Sequence, residues 1–306
     1  TQPPPTPTVE PNPELSILVT GDLMYDRHIR VAAEENGYEY PLASLTDFLQ
    51  QYDLVLTNLE GPITDNPSRS VGSQPGSTDN YYFTFDPKIV DQVLVKNQMK
   101  VVNLGNNHIL NFGVDGYEQT LSNLQAGGVG WFGQVDLPEG SEPQLAKFDQ
   151  PVKLSYIWQE NGFKIAVVNF NQFSGLDIES VVTEIERLKT EESDLDLILA
   201  YPHWGNEYVP TANATIQSWA HQLIDAGADV VIGAHPHVIQ NQEEYQGKQI
   251  YYSLGNFVFD QYFQPEVKQG MLVELNLFKD ANGEVKVEFE EYLVELTQDK
   301  QTKLID

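Results

Sequence analysis

A chain of 306 residues with 45 acidic against 17 basic side chains, formal charge -28, repels a phosphate backbone and argues against nucleic acid as a partner. It binds an acidic polymer only where a local cation reverses the field. The lack of cysteine removes disulfides, thiolate metal sites and cysteine nucleophiles. No apolar run approaches the roughly 18 residues that span a bilayer, and the length predicts one large domain with a sizeable core.

Residues 1–14, TQPPPTPTVEPNPE, hold too little apolar surface to fold and read as a proline-rich linker or tail. A stiff spacer that does not start with methionine fits either an extracytoplasmic domain tethered to a membrane through a preceding segment, which is the expectation, or a plain disordered tail. The folded domain is expected over 15–297 and a polar C-terminal tail over 298–306. Leu15–Thr20 is a β-branched run that ends at Gly21-Asp22, the pattern of a buried strand with a carboxylate at its carboxyl end. The pattern recurs. Leu54–Thr57 runs into Asn58-Leu59-Glu60, Lys100–Leu104 into Gly105-Asn106-Asn107-His108, Leu195–Ala200 into Tyr201-Pro202-His203, and Val230–Ile232 into Gly233-Ala234-His235-Pro236-His237.

Helical spacing of apolar residues predicts helices over Leu42–Gln50, Pro87–Asn97, Val114–Gln125, Ile178–Glu191 and Ala214–Asp225. Such βα alternation builds a parallel sheet whose ligands sit beyond the carboxyl ends of its strands. Two regions break the alternation. Lys153–Gln159 and Phe163–Phe170 flank a turn at Asn161-Gly162, and Gln249–Ser253, Met271–Phe278 and Val285–Glu295 read as further strands, so a second, mixed or antiparallel sheet is implied. The polar stretch Asn66–Asn80 reads as a mobile loop over the site or, equally, an inert surface excursion.

On the GAHPH stretch alone, an exposed loop and a metal site fit equally well. The clustering of His108, His203, His235 and His237 at strand ends, four of six histidines, favours the metal. His221 falls on the polar side of a helix and reads as solvated; His28 reads as a surface or supporting residue. Imidazoles, carboxylates and an amide oxygen at one sheet edge suit one or two divalent ions such as zinc, manganese or iron better than calcium. No phosphate-binding glycine loop and no nucleophile-elbow serine is present.

The blocks GDLMYDR (21–27), NLEGPIT (58–64), NLGNNHILNFG (103–113), HWGNEY (203–208), GADVVIGAHPHVIQ (227–240) and YSLGNFVFDQ (252–261) resemble the CapA family. That family is associated with poly-gamma-glutamate capsule synthesis and related to calcineurin-like metallophosphoesterases. The resemblance implies an α/β fold, the calcineurin-like αββα sandwich of two mixed sheets flanked by helices. It also implies Asp22, Glu60, Asn107, His203, His235 and His237 as metal ligands, His108 as general acid or base, and Arg27 as a clamp for an anionic group. Asn58, Asn256 and Asp260 would line or brace the site as substrate-binding residues.

Two positions depart from the pattern. Met24 stands where metallophosphoesterases have a ligating histidine, so Glu60, Asn107, His203 and His235 should form the better site, and Asp22, Glu60 and His237 a weaker one. Asn111 stands where CapA proteins usually have aspartate, so His108 is either less basic or partnered by Asp115. The expected function is metal-dependent hydrolysis of a phosphoester or amide in the metabolism of poly-gamma-glutamate or another envelope polymer. Its partners would be a small-molecule or polyanionic substrate and a membrane-associated synthesis complex. The rival is a non-catalytic, metal-containing component that binds polymer or partners; metal-assisted proton abstraction at an amino-acid α-carbon would use the same residues.

Overall fold

The computed structural model describes residues 15–280 and 282–305, so the proline-rich segment 1–14 lies outside the described residues. The chain begins with β1 (Leu15–Leu23), α1 (Arg27–Asn36), α2 (Thr46–Leu49), β2 (Leu54–Leu59), β3 (Val101–Asn103), α3 (Gly113–Ala126) and β4 (Gly130–Phe132). After the short α4 (Glu142–Leu145) come β5 (Ser155–Glu160), β6 (Phe163–Val168), α5 (Ile178–Glu191), β7 (Leu197–Ala200), α6 (Ala214–Ala226) and β8 (Val230–Ile232). The last third is β-rich, with β9 (Gln242–Tyr245), β10 (Lys248–Tyr251), β11 (Asn256–Val258), β12 (Gln269–Lys279), β13 (Val285–Leu296) and β14 (Thr302–Leu304).

These strands form two mixed sheets. The first has the order β14-β13-β12-β1-β2-β3-β4, with β11 paired to the end of β1; the second runs β5-β6-β7-β8-β10-β9. Side-chain alternation along the central strands decides the layering. Ile17 and Val19 of β1, Leu197 and Leu199 of β7, and Val230 and Ile232 of β8 meet in a core between the sheets. Leu18 instead faces the core that holds Ile29 of α1 and Leu121 of α3. Ile198 and Val231 face Ile185 of α5 and Ala220 of α6. The result is the expected αββα sandwich. Each large apolar side chain fully buried this way contributes roughly 1.5–3 kcal/mol.

The helices α5 and α6 start where short polar side chains cap them. Asp177 accepts from Ser180 N, and Asn213 accepts from the N–H groups of Thr215 and Ile216. Both match the sequence expectation closely. Elsewhere the structure corrects it. Leu42–Gln50 is a 3₁₀ turn followed by the four residues of α2. Pro87–Asn97 is a π turn at Val90–Leu94 and a 3₁₀ turn at Val95–Asn97, ended by Gln98 in a left-handed conformation; its β-branched residues are poor helix formers that bury without regular geometry.

The additional strands do not make a sheet of their own. The β5–β6 hairpin extends the parallel strands of the second sheet, whereas β12 and β13 extend the first through antiparallel pairing of β12 with β1. The segment 298–306, expected as a polar tail, supplies β14, which pairs with β13. Thr302 there is buried and donates its hydroxyl to Phe257 O at 2.6 Å. Three residues are too few to display a strand period.

Candidate metal centre

Carboxyl ends of strands from both sheets converge on one spot. Asp22 lies near the end of β1, Glu60 one residue past β2, and Asn107 and His108 beyond β3. From the second sheet come His203, beyond β7, and His235 and His237, beyond β8. Close backbone approach makes this possible. A Cβ on Gly21 would lie 1.9 Å from Gly255 O, and one on Gly233 would lie 2.2 Å from Tyr252 O, so only glycine fits at either place. His235 and His237 both adopt positive φ, 101° and 57°, at a cost of roughly 1–2 kcal/mol each. That turn aims His235 N at Asp22 Oδ2, 3.2 Å away.

The ligand-capable atoms fall into two groups that share Glu60. One joins Glu60, His203 and His235, the other Asp22, Glu60 and His237, with the candidate atoms of each group within 4.8 Å of one another. Asn107 Oδ1 adds an amide oxygen to the first group, 2.9 Å from His203 Nε2. His203 Nε2 and His235 Nδ1 are 3.2 Å apart. His237 Nδ1 faces Asn256 Oδ1 at 2.9 Å and Asp22 Oδ2 at 3.3 Å, which leaves its Nε2 toward Glu60 Oε1 at 3.7 Å.

Glu60 tests whether a cation fits here. Its side chain is fully buried, and neither carboxylate oxygen has a hydrogen-bond partner. An unpartnered carboxylate in that position costs several kcal/mol, and two groups of imidazole and carboxylate donors around it are the chemistry that divalent transition ions bind. Burial, then the charge of Asp22, pushes the Glu60 carboxyl well above its ordinary range. Burial acts on Asp22 in the same direction but is outweighed by the hydrogen bond and charge of His237, which hold it low. Burial lowers His203 to about 3 and His235 to about 2, the latter with help from His203 and His237, so both imidazoles are neutral and competent as ligands at neutral pH.

His108 stands at the edge of this group, its Nε2 4.0 Å from Glu60 Oε1 and its ring 4.4 Å from that of Phe83. Asn111 Oδ1 accepts from Phe83 N at 2.9 Å, which identifies that atom as the amide oxygen, and it lies 3.1 Å from His108 Nδ1. His108 therefore carries its proton on Nδ1 and turns the Nε2 lone pair to the site. Burial lowers its pKa to about 4 against the opposing bond to Asn111. Asp115, the other candidate partner, is engaged instead by Gln144 Nε2 at 2.6 Å.

The remaining candidates take supporting positions. Asn58 and Asn256, expected as substrate-binding, are fully buried and wholly engaged by protein. Asn58 Nδ2 donates to Asp22 Oδ1 at 2.8 Å and sits 3.2 Å from His203 Nδ1, while Asn256 holds His237 and donates to Val267 O at 2.9 Å. They orient ligands and present nothing to a substrate. Arg27 and Asp260 are ion-paired to each other, and Asp260 also accepts from His28 N at 3.1 Å. The guanidinium lies over the rings of both Phe83 and Phe259, with Nη1 3.3 Å from Asn80 O and Nε unpartnered. Met24 is buried in the core and its sulphur accepts from Asp26 N, so it offers no donor to the centre.

The Asn66–Asn80 stretch is tied down. Ser68 bonds Asp26, Ser70 donates to Asp79 O and Tyr82 O, and Arg69 pairs with Asp79. With Arg27 and His28 it encloses a cavity of about 300 Å³. His221 is half-buried, 2.8 Å from Glu243 Oε1 and stacked on Tyr245, which corrects its reading as solvated.

Residues 16–261 match the model of the family described as "Bacterial capsule synthesis protein PGA_cap". The chain belongs to that family. It is 29% identical over 292 residues to "PGA biosynthesis protein CapA" of Bacillus subtilis, spanning 89% of this chain and 70% of that protein. "Capsule biosynthesis protein CapA" of Bacillus anthracis is 25% identical over 270 residues, 87% of this chain and 64% of that protein, so the chain falls short of two thirds of that relative's length. A hypothetical protein from Thermus thermophilus, known from its crystal structure, shares the fold with TM-score 0.55 and 18% identity, over 92% of this chain and 99% of that one.

Within this family member, several contributors to the site were missed from sequence. Asn106 links the pieces: Oδ1 accepts from His108 N at 3.0 Å, and Nδ2 donates to Leu59 O at 2.8 Å. Its place in the Asn106-Asn107-His108 run was a usable signal. Phe83, under His108, and Phe173, whose ring lies 4.3 Å from that of His235, come from connecting segments with no distinguishing pattern.

Proposed function

We propose that this CapA-family chain is a metal-dependent hydrolase that cleaves a phosphoester or amide bond in envelope-polymer metabolism. The observation that carries the reading is Glu60, a buried carboxylate with two unpartnered oxygens shared by two donor groups. Glu60, Asn107, His203 and His235 would hold one ion, and Asp22, Glu60 and His237 a second. A divalent ion there supplies Lewis acidity toward an acyl or phosphoryl oxygen.

The protein groups do the rest. His108, neutral at physiological pH and with Nε2 free, accepts a proton from the attacking nucleophile and returns it to the leaving group. Phe83 and Asn111 hold its plane and tautomer. Arg27 has donors beyond those engaged by Asp260 and Asn80, and with them orients a neighbouring carboxylate or phosphate. The substrate side of this proposal is a small molecule or polymer of the capsule and a synthesis complex at the membrane, with the domain outside the cytoplasm. Among the described residues no helix is long and apolar enough to cross a membrane.

Replacing His108 with alanine tests the reading. Turnover of phosphoester or γ-glutamyl substrates should fall by about 10²–10⁴-fold, with metal content and thermal midpoint unchanged. Met24, which leaves the second donor group at three residues, favours one rival: a centre kept for binding polymer. Unchanged capsule-linked function in the His108→Ala protein would give that rival preference.

A further inference from the structure

Among the described residues only three aromatic side chains are exposed, Tyr81, Phe173 and Phe263. All three stand around the metal centre. The Phe173 ring, 44% exposed, lies against His235 and 5.9 Å from His203. Phe263 packs on Tyr208 at 5.1 Å, and Tyr208 lies 6.0 Å over His237. Tyr81 lies near both His108 and Tyr208. Exposed aromatic area gathered at one mouth of an otherwise acidic, polar surface marks a place where apolar matter is bound.

That collar leads somewhere. One residue past Phe173, the segment Ser174–Leu176 forms a wall of a groove of about 740 Å³, within the range of small-molecule sites, whose other walls include Leu137, Leu145 and Val152. The charged residues that line it are Asp136 and Glu142. Their carboxylates repel an anionic polymer segment, and among the described residues no cation lines the groove to offset them. A hydrocarbon chain meets neither objection.

We propose that this groove takes the hydrocarbon chain of an amphiphilic substrate whose scissile phosphoester or amide group lies at the metal centre, with Phe173 as the apolar step between the two. The assignment rests on the hydrolytic reading above and narrows its substrate to a chain-bearing, lipid-like molecule. It is tested with metal-loaded protein and a series of p-nitrophenyl alkyl phosphates from methyl to dodecyl. A fully buried methylene strengthens binding about fourfold. In an open groove kcat/KM should rise about twofold per methylene until the groove is filled, and Leu176→Glu or Phe173→Ser should flatten that rise. A series with no dependence on chain length overturns the proposal while leaving hydrolysis intact. If no ester in the series is cleaved, the hydrolytic reading has failed on these substrates, and titration with an uncharged dodecyl-linked fluorophore decides the groove separately. Saturable binding weakened at least tenfold by Leu176→Glu supports the groove; no saturable binding, or binding indifferent to that change, overturns it. A dimer of the chain that Leu176→Glu dissolves would assign the groove to a second copy and overturn it as well.

Discussion

The two halves of the candidate metal centre share Glu60 but are furnished unequally. On one side stand two neutral imidazoles, His203 and His235, with the Asn107 amide oxygen 2.9 Å from His203. On the other stand Asp22 and His237, and the residue that would complete the set, Met24, is buried with its sulphur accepting a backbone N–H. Both halves lie at strand ends and both are buried, so position alone does not distinguish them. Donor number does: one half can surround an ion from the protein alone, and the other leaves coordination to be completed from outside.

The largest effect should come from the shared residue. Glu60→Gln should empty both halves, weakening metal binding by more than the roughly 10–100-fold typical of outer-shell changes, while the metal-free protein melts no lower because an unpartnered carboxyl has been removed. Elemental analysis and a melting curve on the stripped protein check both parts. Next, His235→Ala should weaken the tighter ion on the order of 100-fold and His237→Ala on the order of 10-fold. Equal losses in competition titrations would break the comparison.

A smaller gain tests the poorer half directly. Met24→His should raise bound metal from one equivalent toward two, at a cost of about 1–3 kcal/mol for a polar group in a buried apolar site. A stoichiometry unchanged in the folded variant would mean that the histidine stays in the core. The mildest effect concerns acid. In metal-free protein His108, His203 and His235 have pKa values of about 4, 3 and 2, below the roughly 6.5 of an unfolded chain. The unfolded state therefore binds more protons, and the stability these residues confer is complete above about pH 6.5 and is lost as pH falls through the folded values. Denaturant midpoints against pH should decline from about pH 6.5 downward, and less so for His203→Asn.

The ligand positions were legible because each stands just after a β-branched run, where a buried strand must end. Val230–Ile232 before His235 is the plainest instance. The grouping by half followed from the family resemblance and from Met24. What could not be read was which polar residue touches which. Asn58 and Asn256 look like substrate contacts in sequence, yet both are buried and spend their polar atoms on protein, a fact set by the meeting of β1, β2 and β11 across 36 to 234 residues of chain. The division of antiparallel strands between two sheets was hidden for the same reason: local alternation marks β12 as a strand but carries no address for its partner β1. The rim was least visible, since Phe173 and Phe263 lie in irregular segments where a phenylalanine has no period to violate.

Asp22, Glu60 and Asn107 come from the first sheet, and His203, His235 and His237 from the second. The centre is thus a clasp across the sandwich, and the width of the layer between the sheets sets the reach of every ligand. Leu199 and Ile17, buried in that layer and bearing no donor, act as spacers. Thinning them would tighten or slacken the clasp without touching a single donor, so the packing of this core would also gauge the affinity of the proposed centre for a metal.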